Sequence, residues 1–236
     1  MTAILSTNSD IIYPDSDGQP MADNTKQFCW IVTIKENLEI LFVDQLDVFV
    51  AGDLLWYPVE GNNKLRLAPD AMVAFGRPKG DRGSYRQWME EDIAPQVVFE
   101  ILSPGNRKGE MEKKFDFYEQ YGVEEYYIYD PDTITLKGYC RQNSKLAPIT
   151  EMNGWVSPRL KIRFVLSKTA LAIYQPDGRK FLTPLELDQR AKFAERRAMI
   201  AEDKAEQEKQ RAEQEKQRAE RLTARLRQMG LDPDDI

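Results

Sequence analysis

Two stretches decide the fold of this sequence: APDAMVAFG at residues 68–76 and PQVVFEILSP at residues 95–104. Both are short apolar runs with β-branched and aromatic residues, a composition typical of strands. The second run is apolar at almost every position, which predicts a strand buried on both faces of a sheet. Each run nevertheless contains one acidic residue, Asp70 in the first and Glu100 in the second.

Further elements are predicted on both sides of these two strands. Residues 1–25 are polar and predict a loosely held arm, and residues 108–121 predict a helix. Strand composition recurs in IVTIKENLEILF (31–42), VFVAGDLLWYPVE (48–60), EEYYIYDPD (124–132), ITLKGYCR (134–141), WVSPRLKIRFVL (155–166) and LAIYQPDGRKFL (171–182).

The C-terminal part of the chain has a different character. No Gly or Pro occurs between Pro184 and Met229, which predicts one long helix, and residues 205–211 and 212–218 both read AEQEKQR. This seven-residue period is typical of a coiled coil. One seam would contain Ala205, Ala212, Ala219, Leu222, Leu226 and Met229, with Glu208 and Glu215 at its weak points. A single solvated helix held by Glu–Lys and Glu–Arg pairs remains an equal alternative.

Composition excludes several classes of site. The 236 residues contain no histidine, so histidine triads, histidine metal sites and histidine proton shuttles are impossible. Two cysteines, Cys29 and Cys140, argue against a disulfide scaffold or a zinc–thiolate site. No secretory signal and no apolar run of about 18 residues occurs. We therefore expect a cytoplasmic protein without a membrane partner.

The two acidic residues in the apolar strands are the first candidates for chemistry. A carboxylate inside VVFEIL is costly to bury unless it is paired or binds a metal. Asp70 and Glu100, on neighbouring strands, can converge on one Mg²⁺ or Mn²⁺ ion, and the backbone carbonyl of Ile101 can add a third oxygen. The alternatives are a core glutamate bonded to a buried Arg or Tyr, and an aspartate that only forms a turn.

The helix predicted over residues 108–121 carries a candidate lysine. Met111, Phe115 and Tyr118 form a stripe that faces the core, and Lys114 lies at the edge of that stripe. Lys114 can thus reach towards the carboxylates, whereas Lys113 points into solvent. The alternative is that Lys114 covers the core edge and pairs with Glu110.

Basic residues follow both decisive strands. Such clusters suit phosphate backbones and counter a formal net charge of −6. A solvated loop near Glu90, Glu91 and Asp92 is the alternative. The candidates for nucleic-acid binding are Arg77, Lys79, Arg82, Arg86, Arg107 and Lys108.

The series APDAMVAFG, VVFEILSPGNR, Lys114-x-x-x-Tyr118 and YGVEEYYIYDPD, followed by LKGY, WVSPRL and PDGRKFLTPLEL, resembles a large bacterial family of restriction-endonuclease-like proteins. The resemblance covers roughly residues 27–190. It implies the PD-(D/E)XK nuclease fold, an α/β (α+β) architecture in which helices flank a mixed central sheet, here with a long C-terminal helix added. The expected organisation is an arm at 1–25, the nuclease-like domain at 26–187, the charged helix at 188–229 and a tail at 230–236.

The resemblance also assigns roles to residues. Asp70 matches the family's Pro-Asp step and Glu100 its next acidic residue, while Leu102 stands where the usual lysine would be. The lysine is expected to have moved to Lys114, and Glu60 and Tyr118 are additional candidates. The expected function is Mg²⁺- or Mn²⁺-dependent hydrolysis of DNA phosphodiester bonds by a homodimer or higher oligomer. The alternatives are an inactive nuclease fold that binds DNA or protein, and an adaptor that works through its helical tail.

Overall fold

The computed structural model describes residues 11–18, 20–105 and 108–229, apart from the side chain of Lys108. Residues 1–10 and 19 of the expected arm, the expected tail 230–236 and Arg107 lie outside these residues. The chain divides into two compact units, Met1–Pro184 and Leu185–Ile236.

The described residues of the first unit form two α-helices, a short 3-10 helix (Gln87–Met89) and ten strands. The α-helices are α1 (Thr25–Leu41) and α2 (Lys108–Gln120). The strands are β1 (Val48–Ala51), β2 (Trp56–Tyr57), β3 (Ala71–Phe75), β4 (Tyr85–Arg86), β5 (Val97–Ile101), β6 (Glu125–Asp130), β7 (Thr135–Gln142), β8 (Lys145–Pro148), β9 (Arg163–Leu166) and β10 (Leu171–Tyr174).

Six of these strands form a mixed sheet in the order β1-β3-β5-β6-β7-β8. β3 and β5, the two decisive strands, are antiparallel neighbours, whereas β5 and β6 are parallel. Parallel neighbours need a crossover connection, and α2 lies within the one that joins β5 to β6. The predicted mixed central sheet flanked by helices is therefore confirmed.

The prediction of a strand over residues 31–42 is wrong, because these residues belong to α1. The β-branched run at its start favours a strand by composition, but Ile31, Ile34 and Leu38 have helical spacing and are all buried. Asn24 caps the helix by accepting a hydrogen bond from the backbone N–H of Gln27. Burial of one helical stripe therefore outweighs the strand propensity of single residues.

The sheet separates two apolar cores. Val97, Phe99 and Ile101 join the core that contains α1 residues, whereas Val98 joins the core that contains α2 residues. Since side chains alternate along a strand, Glu100 shares the face of Val98. The candidate glutamate therefore faces α2.

The described part of the second unit is formed by the long helix α3 (Pro184–Gln228), which begins at the last residue of the first unit. None of its side chains is buried, and pairs four residues apart, such as Gln210 with Glu206, stabilise it. The predicted long C-terminal helix is confirmed. Among the described residues, no helix is both long enough and apolar enough to cross a membrane.

Candidate active site

Glu100 is buried in β5 with only 2% of its surface exposed. Lys114 Nζ lies 2.7 Å from Glu100 Oε2, and the hydroxyl of Tyr118 donates to Oε1 at 2.5 Å. Both donors come from α2, one helical turn apart. An ion pair and a charge-assisted hydrogen bond thus offset the cost of burying this carboxylate.

Asp70 directly precedes β3 and is 8% exposed. The backbone N–H of Ile101 donates to its Oδ2 at 2.5 Å, which ties Asp70 to the end of β5. Burial raises the pKa of Asp70 well above its usual range, and the neighbouring charge of Glu100 raises it further. The two carboxylates that the sequence singled out are therefore close enough to repel each other.

Lys114 carries the positive charge between these carboxylates. Burial is the largest single influence and lowers its pKa, but the charge and hydrogen bond of Glu100 together with the charges of Asp70 and Glu110 outweigh it and raise the pKa of Lys114 to about 12. Lys114 therefore remains an ammonium at neutral pH. Its partner is Glu100, and Glu110, the alternative partner, acts on it only as a weaker charge.

The Tyr118 ring packs against other aromatic rings next to Glu100. Its ring stacks on Trp56 with 6.3 Å between centroids and meets Tyr126 edge to face. Burial raises the pKa of Tyr118, so the phenol keeps its proton and donates to Glu100. Tyr118 therefore fixes the orientation of the Glu100 carboxylate.

A cavity of about 670 Å³ opens next to Asp70 and Lys114, which both line it. Glu100 is not among the lining residues and reaches the cavity through Lys114. Among the described residues the cavity is lined by five acidic side chains, Asp17, Asp23, Asp53, Asp70 and Glu110. Three basic side chains, Lys64, Arg66 and Lys114, also line it, so carboxylates are in the majority and a cation is suited to their side of the cavity.

Asp53 was not identified from the sequence. Burial and then the charge of Asp17 raise the pKa of Asp53, and Glu100 adds to the effect. Its backbone N–H donates to the carbonyl of Pro69 at 3.0 Å, next to Asp70. Glu60, the additional acidic candidate, instead lies exposed in a turn and is not among the lining residues. Asp53 follows β1, so only the pairing of β1 with β3 brings it to the site.

Gln27 is a second residue that the sequence analysis missed. Its Nε2 donates to the carbonyl of Ile101 at 2.8 Å, and its Oε1 accepts from the backbone N–H of Asp23. The carbonyl predicted as a metal ligand thus already accepts one hydrogen bond and has a second lone pair. The sequence held a signal, because Asn24 followed three residues later by a glutamine resembles a capping box.

The basic residues after β3 are paired with carboxylates. Arg77 contacts Glu90 at 3.0 Å and Glu91 at 2.8 Å, and Arg82 contacts Glu90 at 2.6 Å. Lys79 lies 3.3 Å from Glu39, and Arg86 lies 3.9 Å from Asp15. Of the two remaining candidates, Arg107 lies outside the described residues, and Lys108 begins α2 with its side chain undescribed.

The donors around the cavity fit a hard divalent cation. Oxygen is the preferred ligand of Mg²⁺, and one or two carboxylates with waters suffice. Asp70 Oδ2 accepts from Ile101, whereas Asp70 Oδ1 accepts no hydrogen bond from the described part of the chain. That part holds no group of three or more acidic, cysteine or histidine side chains arranged around a metal position. Both oxygens of Glu100 accept hydrogen bonds, so a cation beside Asp70 Oδ1 would take most of its ligands from water.

Comparison with known proteins supports the resemblance seen in the sequence. The family model Uma2, described as "Putative restriction endonuclease", matches residues 19–169. A crystal structure from Anabaena variabilis, described as a "putative nuclease", is 18% identical and covers 59% of this chain and 74% of its own, with a TM-score of 0.44. No curated protein matches the chain significantly. Because the family model spans more than half of the sequence, the chain belongs to the Uma2 family.

Proposed function

We propose that this protein is a metal-dependent endonuclease that hydrolyses phosphodiester bonds in DNA. The observation that carries the proposal is the convergence of Asp70, Glu100 and Lys114 beside one acidic cavity. Two carboxylates from antiparallel neighbours can help to hold a metal ion, and an ammonium from the following helix can offset charge on a phosphate, so the set is compatible with metal-assisted phosphoryl transfer. Family membership supports the same class of reaction.

Each residue has a defined part in this proposal. Mg²⁺ or Mn²⁺, held by Asp70, Glu100 and the Ile101 carbonyl, would lower the pKa of a bound water and offset charge on the phosphate. Lys114 stays protonated, so it donates hydrogen bonds to the attacking water or to a phosphate oxygen and does not act as a base. Tyr118 and Gln27 orient Glu100 and the Ile101 carbonyl.

Cleavage of supercoiled plasmid and single-stranded DNA with Mg²⁺ or Mn²⁺ tests the proposal. We expect Asp70→Asn to lose on the order of 10³-fold in rate, because a metal ligand and its charge are removed. Glu60→Gln is the matched control, since Glu60 is exposed and outside the cavity lining, and it should cleave like the wild type. Wild-type protein that cleaves neither substrate with either metal contradicts the proposal.

A nuclease fold that only binds DNA is the second candidate, and two observations favour it. Both oxygens of Glu100 already accept hydrogen bonds from Lys114 and Tyr118, and Leu102 occupies the usual lysine position. A binding module predicts DNA affinity that is independent of divalent metal and unchanged in Asp70→Ala and Glu100→Ala. The enzyme predicts that metal is required for strand scission.

We further propose that α3 pairs with a second copy of the chain. Alanine recurs every seven residues at Ala191, Ala198, Ala205, Ala212 and Ala219, and Leu226 continues the series. Small residues at one heptad position form a narrow seam for a partner helix. Light scattering of the full chain and of residues 1–187 tests this: the full chain should be larger than a monomer and the truncated chain monomeric. A full chain that is monomeric, like the truncated chain, would contradict the proposal.

A further inference from the structure

The segment between β2 and β3 brings two basic side chains to the cavity that holds the candidate active site. Lys64 and Arg66 line the cavity together with Asp70 and Lys114. The segment is joined to the sheet region by the antiparallel bridge between Trp56 and Leu67. Two basic side chains that the sequence analysis did not name therefore lie on the cavity wall beside Asp70 and Lys114.

The groups that contact the Arg66 guanidinium are uncharged. Its Nη1 donates to the carbonyl of Asn63 at 2.9 Å and lies 3.5 Å from the hydroxyl of Tyr57. The guanidinium also lies over the Tyr57 ring, 5.9 Å from its centroid. Tyr57 is fully buried, so Arg66 rests on a rigid support. The guanidinium is thus held in place while its positive charge is available to an anion.

Lys64 lies in the same segment, at a position that is exposed to solvent. Its backbone N–H donates to the side chain of Asn62 at 3.1 Å, while its side chain extends into solvent. Within the described ranges, neither Lys64 nor Arg66 forms an ion pair with a carboxylate. This contrasts with Arg77 and Arg82, whose charges are offset by Glu90.

We propose that Lys64 and Arg66 bind the phosphates of the DNA strand next to the cleaved phosphodiester bond. The proposal rests on the proposed nuclease function and assigns the backbone contact to the 61–68 segment rather than to the loop of Arg77 and Arg82. A strand whose phosphate enters the cavity beside Asp70 brings its neighbouring phosphates along the same wall. Contacts of this kind set affinity and position without reading sequence.

The test is DNA binding measured apart from cleavage. A fluorescent 20-base-pair duplex would be titrated by anisotropy in Ca²⁺ at several salt concentrations, with wild type and a Lys64→Gln/Arg66→Gln double variant. We expect the double variant to bind about tenfold more weakly or worse. The slope of log affinity against log salt should fall by about 2, since each lost phosphate contact contributes about 0.9.

A matched control removes the same charge elsewhere. Lys145→Gln/Lys192→Gln deletes two lysines that pair with Glu119 and Asp188, and it should bind within about twofold of the wild type. Lys64→Gln alone alters an exposed side chain, so its weaker binding cannot arise from misfolding. Equal affinity and salt slope in the double variant and the wild type would overturn this inference while leaving a cleaving wild type as a nuclease. Wild type that neither binds nor cleaves DNA would overturn both proposals.

Discussion

Glu100 and Glu125 are two buried glutamates on adjacent parallel strands, 2% and 1% exposed, yet their surroundings differ. Glu125 accepts hydrogen bonds from the hydroxyls of Tyr127 and Ser157 and, at 2.5 Å, from the backbone N–H of Arg159. Glu100 accepts from the ammonium of Lys114 and has a second carboxylate, Asp70, close by. Burial of a carboxylate alone therefore does not indicate chemistry.

The donors around Glu125 explain its structural role. Ser157 and Arg159 belong to the turn before β9, and Tyr127 belongs to the same strand as Glu125. Two of the three donors, Ser157 and Arg159, thus link that turn to Glu125 in β6, on the face of the sheet opposite Glu100. At Glu100 the partner cation lines a cavity and a second carboxylate competes for it. We interpret the arrangement around Glu125 as structural and the arrangement around Glu100 as the candidate active site.

The largest effect on stability is expected from Lys114→Met. This change leaves Glu100 buried without its cation, which typically costs about 3–5 kcal/mol of unfolding free energy. Urea denaturation measures the loss. The double variant Lys114→Met/Glu100→Gln should recover most of it, because no buried charge remains unpaired. A single variant as stable as the wild type would show that the ion pair does not stabilise this site.

A smaller loss is expected from Glu125→Gln, which keeps the size of the side chain and removes its charge. One amide oxygen cannot serve three donors as a carboxylate does, so we expect a loss of about 1–3 kcal/mol in urea denaturation. Cleavage activity under stabilising conditions should remain. Glu124→Gln, on the exposed neighbour, should change stability by less than about 1 kcal/mol. Equal losses of unfolding free energy in the two variants would contradict a structural role for Glu125.

The smallest effect concerns pH and Asp70. Because burial raises its pKa in the folded protein, the folded state keeps a proton that the unfolded chain loses above about pH 4. The stability of metal-free wild type should therefore fall as pH rises from that value towards the raised pKa, relative to Asp70→Asn. Thermal melting in EDTA at several pH values measures this difference, and parallel pH profiles for the two proteins would contradict it.

At neutral pH, added Mg²⁺ should stabilise the wild type relative to Asp70→Asn. A ligand that binds only the folded state stabilises it by about 2.7 kcal/mol at 100 times its dissociation constant. Added Mg²⁺ should therefore raise the melting temperature of the wild type and leave that of Asp70→Asn unchanged. An equal rise in both proteins would place the metal away from Asp70.

The sequence was sufficient where local pattern governs structure. β5, α2 and β6 follow from an apolar run, a helical stripe and an aromatic run, and the alternation in β5 puts Glu100 on the α2 side. The spacing of Met111, Lys114 and Tyr118 puts Lys114 on the same side of α2 as the core stripe. These relations involve neighbours within one element or a single strand pair, which is why periodicity reveals them.

The remaining features depend on contacts between distant residues. The sequence predicts a strand over residues 31–42 because their β-branched residues mask the helical spacing of Ile31, Ile34 and Leu38 in α1. Asp53 and Gln27 reach the site only because β1 and α1 pack beside β3 and β5. The ion pairs of Arg77 and Arg82 depend on where Glu90 folds back. Propensity and spacing do not encode such distances.

Plasmid cleavage in Mg²⁺ by Glu100→Gln and Glu125→Gln, side by side with the wild type, tests the central claim most directly. Both substitutions remove one buried negative charge and preserve side-chain size. The account predicts that Glu100→Gln loses on the order of 10³-fold in rate, while Glu125→Gln cleaves like the wild type at a temperature where it is folded. Comparable cleavage by Glu100→Gln and the wild type would contradict it.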